Sequence, residues 1–167
     1  MEAVFGTKGA LLKVVVDVAI AGNDEPVAVL DRPILQQLHD ETDSFSSSGC
    51  TRLVTDISGR LAPLVSVAEQ AAQTDPEMAE LWSTMGDHRL FGARHVAGLV
   101  KAKGATWPDV DGDRAADILF LFNDPSVYRT LVIDRGWTRD AFRSWLAGTY
   151  QDLLVSGRPR RRVDPST

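Results

Sequence analysis

The chain has 167 residues, 44% hydrophobic and 25% charged, the balance of an ordinary globular domain that can bury a core without staples. A net charge of −5 argues against phosphate neutralisation of DNA as its main task. A single cysteine, Cys50, excludes an intrachain disulfide, and no apolar run reaches the roughly 18–20 residues that span a bilayer, so the expected compartment is the cytoplasm.

Read in chain order, nearly every segment predicts helix. Thr7 can cap a helix from Lys8 to about Ala21, whose Leu11, Leu12, Val15, Val18 and Ala19 share one face at helical spacing. Lys13 and Asp17 interrupt its apolar run, and residues 1–20 lack the layout of a signal peptide. Gly22-Asn23-Asp24 ends it, and Pro33 starts a short helix through about Asp40. Ser44 to Gly49 reads as loop.

From Thr51 the helical period returns in Leu53, Val54, Ile57, Leu61, Leu64, Val65 and Ala68, with Pro63 expected to kink or divide the helix near Gly59-Arg60. Asp75-Pro76 restarts the chain as cap and first helical position of a helix that Gly104 stops. Asp109 or Asp111 can cap the next helix, whose run from Ala115 to Phe122 is apolar nearly all round and is expected to be buried on several sides. Asn123-Asp124-Pro125 breaks the chain. Val127, Tyr128, Leu131 and Val132 make a short helix ending at Gly136. Thr138 caps a last helix carrying Phe142, Trp145, Leu146, Tyr150, Leu153 and Leu154. The tail from Gly157, with Arg158, Arg160, Arg161 and Arg162, reads as a solvated, disordered end. No segment alternates like a strand, so the fold class is all-α.

Little of this pattern is catalytic. His88 and His95 stand two turns apart on one helix face, roughly 10 Å of rise, too far to share a metal bound at about 2.0–2.1 Å. His39 has no ligand-like spacing. Cys50 has no neighbouring histidine to activate it, and no serine sits in a Gly-x-Ser-x-Gly elbow. Gly6-Thr7-Lys8-Gly9 lacks the upstream glycine and strand of a phosphate loop. Asp40/Glu41 and Asp111/Asp113 read as loop and helix-start charges. An enzyme is not expected, and neither is a metal or other cofactor. Trp82, Met85, Phe91 and Trp107 could line a pocket with His88, His95 or Arg60 as polar handles, against the competing reading of plain core packing.

Two strings resemble the tetracycline-repressor (TetR) family of transcriptional regulators. At the start, Phe5, Thr7, Lys8, Leu11 and Leu12 fit the family's junction between DNA-reading helix and connecting helix, aromatic-x-x-Phe-x-Ser/Thr-Lys-x-x-Leu-Leu; Glu2 stands where the aromatic belongs. Further on, Tyr128, Leu131, Val132, Arg135, Gly136 and Trp137 match Tyr-x-x-Leu-Val-x-x-Arg-Gly-Trp, a string found between the last long helices of many such regulators.

The resemblance implies a remnant of the helix-turn-helix at 1–7, a ligand-binding and dimerising body at 8–156, and the Arg-rich tail at 157–167. It implies a homodimer through the last long helices, here Ile118, Leu119, Phe122, Phe142, Trp145, Leu146, Thr149 and Leu153. A charged residue at Phe142 or Trp145 should then split the dimer. A small apolar effector would bind between 51–72 and 76–103, near Ile57, Leu61, Leu64, Trp82, Met85, His88, Phe91, His95 and Trp107, and would shift the helix at 8–21. Thr7 and Lys8 would face a DNA phosphate in the full-length context, and operator DNA would be a partner only with the whole N-terminal domain present. The alternative is a stand-alone dimeric module that binds a small molecule or heterodimerises without an operator.

Overall fold

The structure, a computed structural model, describes residues 8–21, 49–102 and 110–155. Its elements are α1 (Lys8–Ala21), α2 (Gly49–Ala72), α3 (Pro76–Ala102), α4 (Gly112–Phe122), α5 (Pro125–Tyr128) running into a π-helical turn (Arg129–Asp134), and α6 (Arg139–Leu154). The protein is all-α, as the sequence predicts. The expected cap at Thr7, the helix at 33–40, the stop at Gly104, Trp107 and the tail from Gly157 lie outside the described residues.

Caps set the boundaries. Asp75 accepts from the backbone N–H of Glu77 at 2.9 Å and starts α3. Asp111, rather than Asp109, caps α4 through the N–H of Arg114 at 2.7 Å. Asp124 caps α5 through Ser126 at 2.8 Å, and Thr138 caps α6 through Ala141 at 3.1 Å. Each side-chain oxygen satisfies a donor that the first helical turn leaves open.

The central element is α2, which touches α1, α3, α5, the π-turn and α6. It is continuous from Gly49 to Ala72, so Pro63 does not divide it. Pro63 is exposed, where the missing N–H and the ring meet solvent rather than a neighbouring helix. Three hydroxyl residues, Thr51, Thr55 and Ser58, are buried along this helix. The Thr55 hydroxyl donates to the Thr51 carbonyl at 2.6 Å, a local bond that lets a polar group enter the core without a distant partner.

The main core gathers Cys50, Val54 and Ala62 of α2, Ala93, Ala97 and Val100 of α3, Ala115, Ala116 and Leu119 of α4, and Phe142, Leu146, Tyr150 and Leu154 of α6. The small residues of α3 let α4 pack closely against it. Phe142 is fully buried, with its ring 4.9 Å from Tyr128 in an edge-on contact and 5.7 Å from Trp145.

The chain reaches this core through an unusual corner. After α5 the helix widens to a π-turn, and the N–H of Arg135 bonds to the Thr130 carbonyl at 3.1 Å. Gly136 then adopts φ 74°, a left-handed conformation that costs a glycine little. The N–H of Trp137 returns to the Leu131 carbonyl at 3.0 Å, and the Trp137 ring stands edge-on to Trp145 at 5.9 Å. Thus Tyr128, Leu131, Gly136 and Trp137, which carry the second family resemblance, build the corner that seats α6.

Two faces differ from the sequence reading. On α1 the buried side chain is Val16, while Leu11, Val15 and Val18, expected inward, are exposed together with Val14. This helix is apolar on most sides, so spacing alone cannot choose its inner face; packing on α2 and α3 chooses it. A Cβ at Gly9 would meet the Glu77 carboxylate at 2.8 Å and the Met78 sulfur at 3.7 Å, so α1 approaches α3 closely here and a larger residue would require the flexible Glu77 side chain to move. On α4 burial is one-sided: Ala115, Ala116 and Leu119 are buried, whereas Leu121 is 61% exposed.

The aromatic contacts predict the cost of emptying the core. Phe142→Ala should destabilise the fold by about 3–5 kcal/mol through lost burial and the cavity left behind. Urea unfolding of the two proteins measures it. Phe142→Asp should prevent stable folding of the protomer, read as loss of the cooperative thermal transition, because the carboxylate would enter a site with zero exposure.

Candidate ligand-sensing site and pairing face

The residues expected to line an effector pocket fall into three groups. Leu61 of α2 is buried. Ile57 and Leu64 of α2, and Trp82, Met85 and His95 of α3, are half-buried and keep part of their surface accessible. His88 and Phe91 are exposed, Phe91 to 59%. Ala93, Ala97 and Val100 take the inner face of α3, which turns positions 88 and 91 outward. An enclosed site between α2 and α3 would therefore be lined without His88 and Phe91.

An open groove of about 340 Å³ lies elsewhere, where the π-turn meets α6. Val127, Leu131 and Trp145 give it apolar walls, and Ser126 and Thr130 supply hydroxyls. The sequence puts Trp145 on the expected pairing face and gives no sign of the groove, because the π-turn that opens it has no signature in the spacing.

The residues expected to pair two copies also divide. Leu119, Phe142 and Leu146 belong to the protomer's own core, at 1%, 0% and 0% exposure, and offer no side-chain surface to a second chain. The physical reason is the helical period: Phe142, Leu146 and Tyr150 succeed each other at i, i+4, i+8 on the inner face of α6. Ile118, Phe122, Trp145 and Thr149 are half-buried, and Leu153 is 39% exposed. Leu121, which the sequence reading left off the pairing face, is the most exposed large apolar side chain of α4. Phe122 makes edge-on contacts with Trp145 at 5.8 Å and Tyr150 at 6.4 Å, tying α4 to α6 within one chain.

A polar knot joins α3 to the α4–α5 turn. Arg89 forms an ion pair with Asp124 at 2.7 Å and lies over the Phe120 ring at 4.2 Å. Asp124 therefore caps α5 with one oxygen and holds Arg89 with the other. Arg89 Nε and Asn123 Oδ1 are buried beside this turn without hydrogen-bond partners among the described residues. At the other end of α6, Arg139 binds Asp56 of α2. Arg129 of the π-turn donates to the Ser66 hydroxyl of α2. Neither Arg89 nor Arg129 stood out in the sequence, where a helical arginine reads as a solvated charge.

Burial decides the chemistry of the one thiol. Desolvation pushes Cys50 from its ordinary 9.0 to about 12, so it is a neutral thiol and a poor nucleophile near pH 7. Burial first, and then the nearby Cys50 charge, push the Tyr150 phenol well above 10.0. Among the described residues no group of three His, Cys, Asp or Glu side chains could hold a metal ion. No helix among them is long and apolar enough to cross a membrane. Lys8 is the first residue of α1, and Thr7 lies outside the described residues.

Comparison of the chain with protein families, curated proteins and solved structures gives no match.

Cys50 should resist a thiol-specific chromogenic reagent at pH 8 in the native protein and react fully once the chain is unfolded in guanidinium. The raised pKa also fixes a pH dependence. The folded state holds the Cys50 proton more tightly than the unfolded chain, so this contribution is intact below pH 9.0 and is lost as the pH rises toward 12. Tyr150 acts in the same direction. Thermal midpoints measured across that window should fall, and Cys50→Ala should flatten the slope.

Proposed function

We propose that the chain is the effector-sensing and dimerising body of a TetR-type transcriptional regulator, with no catalytic role. The observation that carries this reading is the seat of α1. The helix that joins body to DNA reader in that family here rests on both α2 and α3, the two helices between which the resemblance puts the effector. A molecule that binds between α2 and α3 and favours a wider spacing would move that seat. The equilibrium shifts only by the difference in its affinity for the two arrangements.

The surfaces suit the reading in chemistry as well as in position. Trp82, Met85, Ile57 and Leu64 keep part of their apolar side chains accessible on the two helices. Leu121 and Leu153 are exposed on α4 and α6, where a two-fold axis would let each cover its counterpart. The expected effector is a small, mostly apolar molecule. Operator DNA would be a partner only where a complete helix-turn-helix precedes α1, and cytoplasm is the proposed compartment.

Light scattering coupled to size exclusion should give the mass of a dimer at micromolar concentration. Leu121→Asp combined with Leu153→Asp should raise the dissociation constant by about tenfold or more. Both positions are exposed, so the variant should still unfold cooperatively. A wild-type protein that remains monomeric at these concentrations would overturn the pairing half of the proposal.

A further inference from the structure

The C-terminal end of α1 is held by a residue 40 positions further along the chain. The Nε of Arg60 donates to the Ala19 carbonyl at 2.5 Å, and its Nη2 donates to the Ile20 carbonyl at 3.3 Å. Those carbonyls belong to the last turn of α1, where the helix leaves its acceptors unpaired and carries the negative end of its dipole. No basic residue of α1 lies in that turn. The cation that serves it comes from α2, so one side chain both caps α1 and ties it to the central helix.

Val16 is the large side chain of α1 that is fully buried among the described residues. Leu11, Val14, Val15 and Val18 are each at least 38% exposed. At its other end Gly9 sits against Glu77 and Met78 of α3 through close backbone approach. Among the described residues the attachment thus includes an N-terminal contact on α3, a valine anchor and a polar grip on the last turn.

We infer that Arg60 is a positioning residue that latches α1 onto α2, making attachment of α1 a local equilibrium separate from unfolding of the body. With the latch closed, the axis of α1 is fixed at both ends. With it open, α1 keeps its contact at Gly9 and is free to swing on it. The idea deepens the regulator reading, since it names the residue through which a shift of α2 reaches α1. The geometry of the latch does not depend on that reading.

Amide hydrogen exchange on the whole chain tests it, with no ligand or partner needed, so the outcome stands apart from the dimer and effector experiments. Arg60→Gln removes the charge and the fork. It should speed exchange in the last turn of α1 by about tenfold while α2 to α6 keep their protection. Arg60→Lys should recover part of the protection, because one ammonium reaches one carbonyl where the guanidinium reaches two. Val16→Ala, the comparison variant, should loosen α1 along its length. Unchanged α1 exchange in Arg60→Gln would overturn the inference. So would an equal rise in every helix, which would make Arg60 a general stabiliser.

Discussion

The Phe142 ring is the contact on which most of this fold depends. It is fully buried against Tyr128 and Trp145, and it comes from the first turns of α6. Three pieces of chain meet there: α6 itself, the α5 corner through Tyr128, and the central helix on which both pack. Edge-on aromatic contacts fix orientation as well as proximity. Once the ring is seated, Leu146, Tyr150 and Leu154 follow on the same face and close the core against α2 and α4. The π-turn and the left-handed Gly136 are the geometric cost of delivering α6 at that angle.

This arrangement leaves the two ends of the molecule unequal. At one end α3, α4 and α6 are bound by close-packed small residues and an aromatic cluster, with the Arg89–Asp124 pair holding the turn. At the other end, among the described residues, α1 rests on α2 and α3 through a buried valine, a glycine contact and an arginine grip. Elements held by few buried apolar contacts are those that open at low free energy. Under the proposed function such a helix suits an effector response, because a small molecule can shift only an equilibrium whose two states lie close in energy.

Helix boundaries were legible wherever a cap or breaker is local. Asp75-Pro76, Asp111, Pro125, Gly136 and Thr138 act within three residues of themselves, and each did in the structure what its chemistry predicts. Faces were less legible. Leu119, Phe142 and Leu146 looked like surplus apolar surface for a partner chain and are core, because α4 and α6 each carry enough apolar residues for an inner and an outer face at once. The same ambiguity misplaced the inner face of α1. The groove beside the π-turn and the grip of Arg60 on α1 left no trace in the spacing, since both join residues far apart in the chain.

The sequence by itself determined the all-α class, the order and most ends of the described helices, the lone thiol and the break at Gly136. These follow from backbone conformation and capping, which depend on neighbours within a few residues. Only the tertiary structure decided which apolar residues face inward, that Cys50 is sealed and neutral, and that arginines on α2 and α3 hold other helices in place. Burial and long-range polar contact are properties of packing, and a helix with two apolar faces does not say which one its neighbour will cover.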